Sequence, residues 1–137
     1  MTLEATRKTC ENRFKEQWGD TTPIEYENVP FTPPVDSPYV ALWVSSPSSQ
    51  DRINLGSNPA MRARGFIQID INVPKSKKYM GNTARNTLAD KAVEIFQFQQ
   101  VSGITFSKAT FADNPGIKKK GWNCLYISIE YKADTLN

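Results

Sequence analysis

The longest regular pattern in the chain is an alternation of residues from Met61 to Pro74. One phase is apolar or small and comprises Met61, Ala63, Gly65, Ile67, Ile69, Ile71 and Val73; the other comprises Arg62, Arg64, Phe66, Gln68, Asp70 and Asn72. Period-2 alternation is typical of a strand with one buried and one solvent-exposed face. A strand of about 12 residues spans roughly 40 Å, whereas most strands have about 5–6 residues. Such reach is more typical of a subunit that lies across a neighbour than of a small enzyme.

Two amphipathic helices are predicted. In residues 2–18, Leu3, Cys10, Phe14 and Trp18 fall at helical spacing, and Gly19 ends the helix. In residues 83–98, the apolar stripe consists of Ala84, Leu88, Ala92, Ile95 and Phe96, with Asn82 or Thr83 as the N-terminal cap.

The remaining segments indicate strands and connectors. Short strands are expected at 24–27, 39–45 and 104–111, and the last strand at Leu125–Tyr131. Four prolines make 29–38 an extended connector, while 45–60 is predicted as a long polar loop and 75–82 as a basic loop. This order predicts one α+β domain over 1–137: a mainly antiparallel sheet, two helices packed on one face, and a long hairpin or strand extension.

Charge and cysteine content narrow the class of protein. Residues 1–60 contain five Lys/Arg and eight Asp/Glu, whereas residues 61–137 contain twelve and six. This polarity suits either a protein with different partners on two faces or simply a charged surface.

No membrane span or signal peptide is apparent, so an intracellular product is expected. Cys10 and Cys124 lack metal-ligand spacing and are expected to be free thiols, with a disulfide as the less favoured alternative.

Catalytic groups are scarce. The chain has no histidine, so the commonest general base is missing, and no phosphate-binding glycine motif is present. Asp70 and Glu130 lie in the polar phases of two strands and allow a carboxylate pair across the sheet, but solvated carboxylates are the favoured interpretation. The sequence therefore predicts a protein that is not an enzyme and that holds no cofactor or metal.

Two groups of basic residues are candidates for partner contacts. Lys118, Lys119 and Lys120 precede Trp122, and Lys77 and Lys78 precede Tyr79; such mixtures of cations and aromatic rings either bind phosphate or form solvated turns and protein contacts. Arg62 and Arg64 share one face of the long strand. They suit bidentate pairing with a carboxylate of a neighbouring subunit, or they only protect a sheet edge.

Several segments together carry a family resemblance. They are YENVPFTPP at 26–34, YVALWV at 39–44, MRARGFIQIDINVP at 61–74, the 83–98 helix and GWNCLYISIEY at 121–131. The combination resembles the tail terminators and tail-completion proteins of long-tailed bacteriophages, over roughly residues 24–131. The resemblance implies an α+β subunit that forms a hexameric ring on the head-proximal end of the tail tube, stops tube growth and later presents a surface to the head–neck complex. The chain departs from the pattern in KKYMGN at 77–82 and in its lysine triplet.

The resemblance also implies partners and locations. Expected partners are further copies of the chain, the tail tube protein, the head–neck connector protein and, less directly, the tape-measure protein; DNA would pass through the ring without specific binding, and no membrane is involved. The subunit would be assembled in the host cytoplasm and reside in the virion tail.

Together with the charge pattern, this picture predicts which residues lie at the interfaces. Subunit or partner contacts are expected at Glu25, Glu27, Asp51, Arg52, Arg62 and Arg64, and tube or neck contacts at Lys77, Lys78, Lys118, Lys119 and Lys120. Two alternatives stay open: a head–tail connector or stopper protein of the neck, and a small basic nucleic-acid-binding module whose DNA affinity would fall steeply with salt.

Overall fold

A computed structural model describes residues 2–113 and 121–136. In that part of the chain, two α-helices, α1 (Leu3–Trp18) and α2 (Thr83–Phe96), and a 3₁₀ turn at Lys77–Tyr79 accompany seven strands. The strands are β1 (Ile24–Tyr26), β2 (Tyr39–Val44), β3 (Ser49–Leu55), β4 (Asn58–Pro74), β5 (Gln100–Val101), β6 (Ile104–Ala112) and β7 (Trp122–Leu136). None of the described helices is long and apolar enough to cross a membrane.

The strands form one sheet in the order β1-β2-β4-β7-β6-β5, with β3 also paired to β4. All neighbouring strands are antiparallel except β1 and β2. Strand β4 pairs with β7 along most of its length. On its other side it pairs first with β3 and then, from Ile67 onward, with β2. The predicted α+β class with a mainly antiparallel sheet is confirmed.

The core lies between one face of the sheet and the two helices. Directly opposed apolar residues such as Ile67 and Ile129, or Ile69 and Ile127, form rows across β4 and β7, and these residues are completely buried. From α1, the ring of Phe14 stacks on Trp18 at 5.1 Å and on Phe96 of α2 at 6.0 Å. The apolar phase of β4 therefore faces the core, as the alternation predicts.

The prediction of a loop at 45–60 is wrong, because most of this segment forms a hairpin. Strand β3 pairs with the first part of β4, and the two-residue turn Gly56-Ser57 joins them. Gly56 has φ of 66°, a value that suits the tight two-residue turns of hairpins and that glycine adopts without strain. The polar composition that suggested a loop instead reflects a strand exposed on nearly every residue.

Other predicted boundaries shift by a few residues. Strands β4 and β7 both extend beyond the predicted ranges because they pair with each other as far as Ala60 and Leu136. Helix α2 ends at Phe96 rather than at residue 98, since Phe98 has a positive φ of 57° that a right-handed helix does not allow. The short β5 was not predicted.

The polar residues of β4 are less exposed to solvent than predicted. Asp70 is 7% exposed, and its carboxylate accepts hydrogen bonds from Trp43 Nε1 at 3.1 Å and from Gln68 Nε2 at 2.8 Å. Its cross-strand partner on β7 is Tyr126, whereas the exposed Glu130 lies opposite Phe66. The interpretation of Asp70 as a solvated carboxylate is therefore wrong, and the two carboxylates do not face each other across the sheet.

Candidate assembly surface

One end of the sheet forms a three-stranded arm. The arm consists of β3, residues 58–64 of β4 and residues 132–136 of β7, which pair in that order. It is the predicted hairpin or strand extension, and it contains four of the six residues expected at a subunit interface: Asp51, Arg52, Arg62 and Arg64. Asp51, Arg62 and Arg64 lie on the continuation of the sheet face opposite the helices, whereas Arg52, opposite Met61, lies on the other face of the arm.

Arg62 lies in a row of alternating charge across the arm. Its cross-strand neighbours are Asp51 on β3 and Asp134 on β7. Its guanidinium donates to both carboxylate oxygens of Asp134, from Nε to Oδ1 at 2.7 Å and from Nη2 to Oδ2 at 2.9 Å. This bidentate hydrogen bonding raises the pKa of Arg62 and lowers the pKa of Asp134. The pair holds the end of β7 against β4.

Arg64 has a looser partner in the same subunit. Its Nε lies 3.5 Å from Oδ2 of Asp51, and about half of each side chain is exposed. Lys132, directly opposite on β7, gives Arg64 no anionic partner there. Both arginines thus have carboxylate partners in their own chain, and their pairing with a neighbouring subunit stays a prediction. The Arg64 side chain is 44% exposed and that of Arg62 is 27% exposed, so Arg64 is the more accessible cation for it.

Glu25 and Glu27 lie away from the arm within the subunit. Glu25 belongs to β1 and is opposite Ala41 of β2, whose own partner is Asp70 of β4. Glu27 follows β1, where its charge contributes to raising the pKa of Arg7 on α1 after the nearer Glu4 and Glu11. The structure does not bring either glutamate to the arginines, so only a second subunit would supply that contact.

Lys77 and Lys78 are exposed on the 3₁₀ turn between β4 and α2. Lys78 Nζ lies 5.4 Å from the centre of the Tyr79 ring, a cation–π arrangement. Lys77 and Tyr79, together with Lys75 and Met80, line a shallow, open depression. Lys118, Lys119 and Lys120 lie outside the described residues, so their expected contacts stay predictions.

Sequence reasoning missed the junction between the arm and the rest of the sheet. Tyr131 of β7 lies across Gly65 of β4, and its hydroxyl donates to the carbonyl oxygen of Ser45 at 3.0 Å. A Cβ at position 65 would lie 2.6 Å from that hydroxyl oxygen. Ser48 N donates to the carbonyl of Arg64 at 2.8 Å, and Ser45 Oγ accepts from Phe66 N at 2.9 Å. These contacts hold the point at which β4 exchanges β3 for β2.

A glycine interrupting an apolar strand phase was the available signal for this junction. The glycine leaves room for a large side chain of the neighbouring strand. Only the register of β4 with β7 identifies that side chain as Tyr131.

The described residues contain no cluster of three or more His, Cys, Asp or Glu side chains that could hold a metal ion. Both cysteines are free thiols. Cys10 is buried in the core, and burial raises its pKa to about 12. Cys124 Sγ donates to Asn72 Oδ1 at 3.2 Å. The two thiols are therefore parts of the packing rather than exposed nucleophiles.

Comparisons with known proteins agree with this architecture. The family model described as phage tail terminator protein matches residues 5–131. Thirteen chains of solved structures are similar to this chain. One of them, whose name states no function, is 18% identical with a TM-score of 0.68, and the alignment covers 100% of this chain and 96% of that one. At such identity the likeness shows the fold alone. No curated protein matches the sequence.

Proposed function

Because the chain belongs to the phage tail terminator family, we propose that it forms a ring, expected to contain six subunits, which caps the head-proximal end of the tail tube. Membership of the family makes the protein a structural component of the virion tail that associates with other tail and head components. The proposal adds that the ring ends polymerisation of the tube and then offers the surface to which the head docks. The match of the family model over residues 5–131 carries this proposal.

The shape and chemistry of the subunit support a role in assembly. Helices cover one face of the sheet, while the other face continues along the arm and includes Phe66, which is 42% exposed. A large apolar side chain exposed among paired charges is typical of a surface that meets another protein. The partners proposed for these surfaces are further copies of the chain, the tail tube protein and the neck connector, with DNA passing through the ring.

Deletion of the gene tests the proposal. Without a terminator, the tube should continue to grow, so we expect intact heads and separate tails of irregular, excessive length. Electron microscopy of particles from the deletion phage, with and without the wild-type gene supplied in trans, measures this directly. Tails of normal length, or the absence of tails, would contradict the proposed function.

The arginines of the arm provide a second test. Arg62→Ala combined with Arg64→Ala should leave the subunit folded but impair ring formation or tail completion, because it removes the cations proposed to meet a neighbouring subunit. The matched control is Asp134→Ala, which removes the intrachain partner of Arg62 and keeps both arginines. If the double variant completes tails as well as the control does, these arginines are only internal and solvated charges.

A further inference from the structure

Strand β3 leaves one of its two edges open. Six of its seven residues are exposed and Ile53 is half-buried. Its inner edge pairs with β4, and among residues 2–113 and 121–136 no strand pairs with its outer edge. The segment contains the charged Asp51 and Arg52 but neither proline nor lysine, the residue types most typical of protected edge strands. An open edge of this length is a template for another strand.

The hairpin shows which main-chain groups face outward. The two-residue turn Gly56-Ser57 makes Leu55 and Asn58 the hydrogen-bonded closing pair. Hydrogen-bonded and non-hydrogen-bonded pairs alternate in an antiparallel ladder, so Asp51 and Ile53 bond to β4. The N–H and C=O groups of Gln50, Arg52 and Asn54 therefore point away from the sheet.

On the opposite edge of the sheet, no described strand pairs with the outer side of the end of β6. Near its start, Phe106 N donates to the carbonyl of Gln99, and after a bulge Ala109 N donates to Gln97 Oε1. These bonds mark the outer side of β6. By the same alternation the main chain of Phe111 faces outward, and no described residue bonds to it there. Its side chain is 57% exposed.

Strand direction makes these two edges compatible. Along β3-β4-β7-β6 every neighbouring pair is antiparallel, so β3 and β6 run in opposite directions. A β6 strand from a second copy, placed beside β3, would continue the antiparallel alternation without a break. We infer that the outer edge of β3 pairs with the open end of β6 in the next subunit. Head-to-tail contacts form a ring when the rotation from one subunit to the next closes, and the inference rests on the ring proposed above.

Proline substitution tests the backbone contact directly. Arg52→Pro removes an outward N–H and adds bulk to the edge, and it keeps the bonds of Asp51 and Ile53 to β4. The control Arg52→Ala also removes the guanidinium but retains the N–H. We expect the proline variant to associate about tenfold more weakly, or not at all, while the alanine variant forms rings like the wild type. Equal loss in both variants would overturn pairing through the main chain.

A mixing experiment distinguishes head-to-tail from symmetric pairing. Phe111→Pro should block the β6 edge, with Phe111→Ala as its control. Each proline variant alone should be monomeric by light scattering, whereas a mixture of Arg52→Pro and Phe111→Pro should give dimers, since one intact edge remains on each subunit. Self-association of Phe111→Pro would instead indicate β3–β3 pairing and overturn the inference. Rings formed by Arg52→Pro alone would show that another surface joins the subunits.

Folding of the variants is checked by circular dichroism and by hydrogen exchange at Asp51 and Ile53, whose amides bond to β4. If Arg52→Pro does not fold, Gln50→Pro against Gln50→Ala applies the same comparison at the next outward residue. Failure of the inference differs from failure of the proposed function. Rings that form despite the proline variants refute only the edge pairing, whereas normal tails in the deletion phage refute the terminator role.

Discussion

Replacing Gly65 with alanine is expected to destabilise the protein, although alanine normally favours a strand over glycine by about 0.5–1 kcal/mol. The new Cβ would lie 2.6 Å from the hydroxyl oxygen and 2.7 Å from Cζ of Tyr131. Ordinary contacts between carbon atoms begin near 3.5 Å, so the ring must retreat by about 1 Å. Tyr131 is buried against Phe106, and moving it would also lengthen its 3.0 Å hydrogen bond to Ser45.

The magnitude follows from these contacts. Overpacking of a core costs about 1–3 kcal/mol, and a lost internal hydrogen bond costs about 1 kcal/mol. After subtraction of the backbone gain from alanine, the net loss of unfolding free energy is about 2 kcal/mol. In urea unfolding, this corresponds to a midpoint lower by about 1 M at an unchanged slope.

A double-mutant cycle identifies the cause of the loss. In a Tyr131→Leu background the clash is relieved, so adding Gly65→Ala should be neutral or slightly stabilising. Tyr131→Phe isolates the hydrogen bond to Ser45 and should cost about 1 kcal/mol. The reasoning is refuted if Gly65→Ala alone costs less than about 0.5 kcal/mol, or if its cost is the same in the leucine background.

Two further predictions concern alkaline pH and the arm. Burial raises the pKa of Cys10 from 9.0 and that of Tyr131 from 10.0, each to about 12. The unfolded chain therefore loses these protons first, and the unfolding free energy should fall as pH rises from 9 towards 12. In Cys10→Ala, the fall should start nearer pH 10. An unfolding free energy that stays constant over that range in chemical denaturation would contradict the burial of both groups. In hydrogen exchange of the isolated subunit, the amides of Asp51 and Ile53 should be protected and that of Arg52 should exchange rapidly, gaining protection only on assembly. Slow exchange at Arg52 in the monomer would contradict the open edge.

Local patterns in the sequence determined the elements and the faces that they bury. Alternation along β4 identified Ile67, Ile69 and Ile71 as core residues because side chains of a strand point to opposite faces in turn. Helical spacing placed Phe14 and Trp18 on the buried side of α1 for the same kind of reason. The resemblance to phage tail terminators rested on five segments between residues 26 and 131, including the alternating segment of β4, and the family match confirms it.

The tertiary structure decided the contacts that depend on the order of the strands in the sheet. The strand β3 exists because β4 extends beyond β2 and offers a free edge there, which no pattern within 45–60 showed clearly. Trp43 of the adjacent strand donates to the buried Asp70 and so compensates for the water that its carboxylate loses. Arg62 pairs with Asp134 because β4 and β7 are in that register. These contacts join residues far apart in the chain, so their partners are set by strand order and register, whereas a residue's own face is set by its nearest neighbours in sequence.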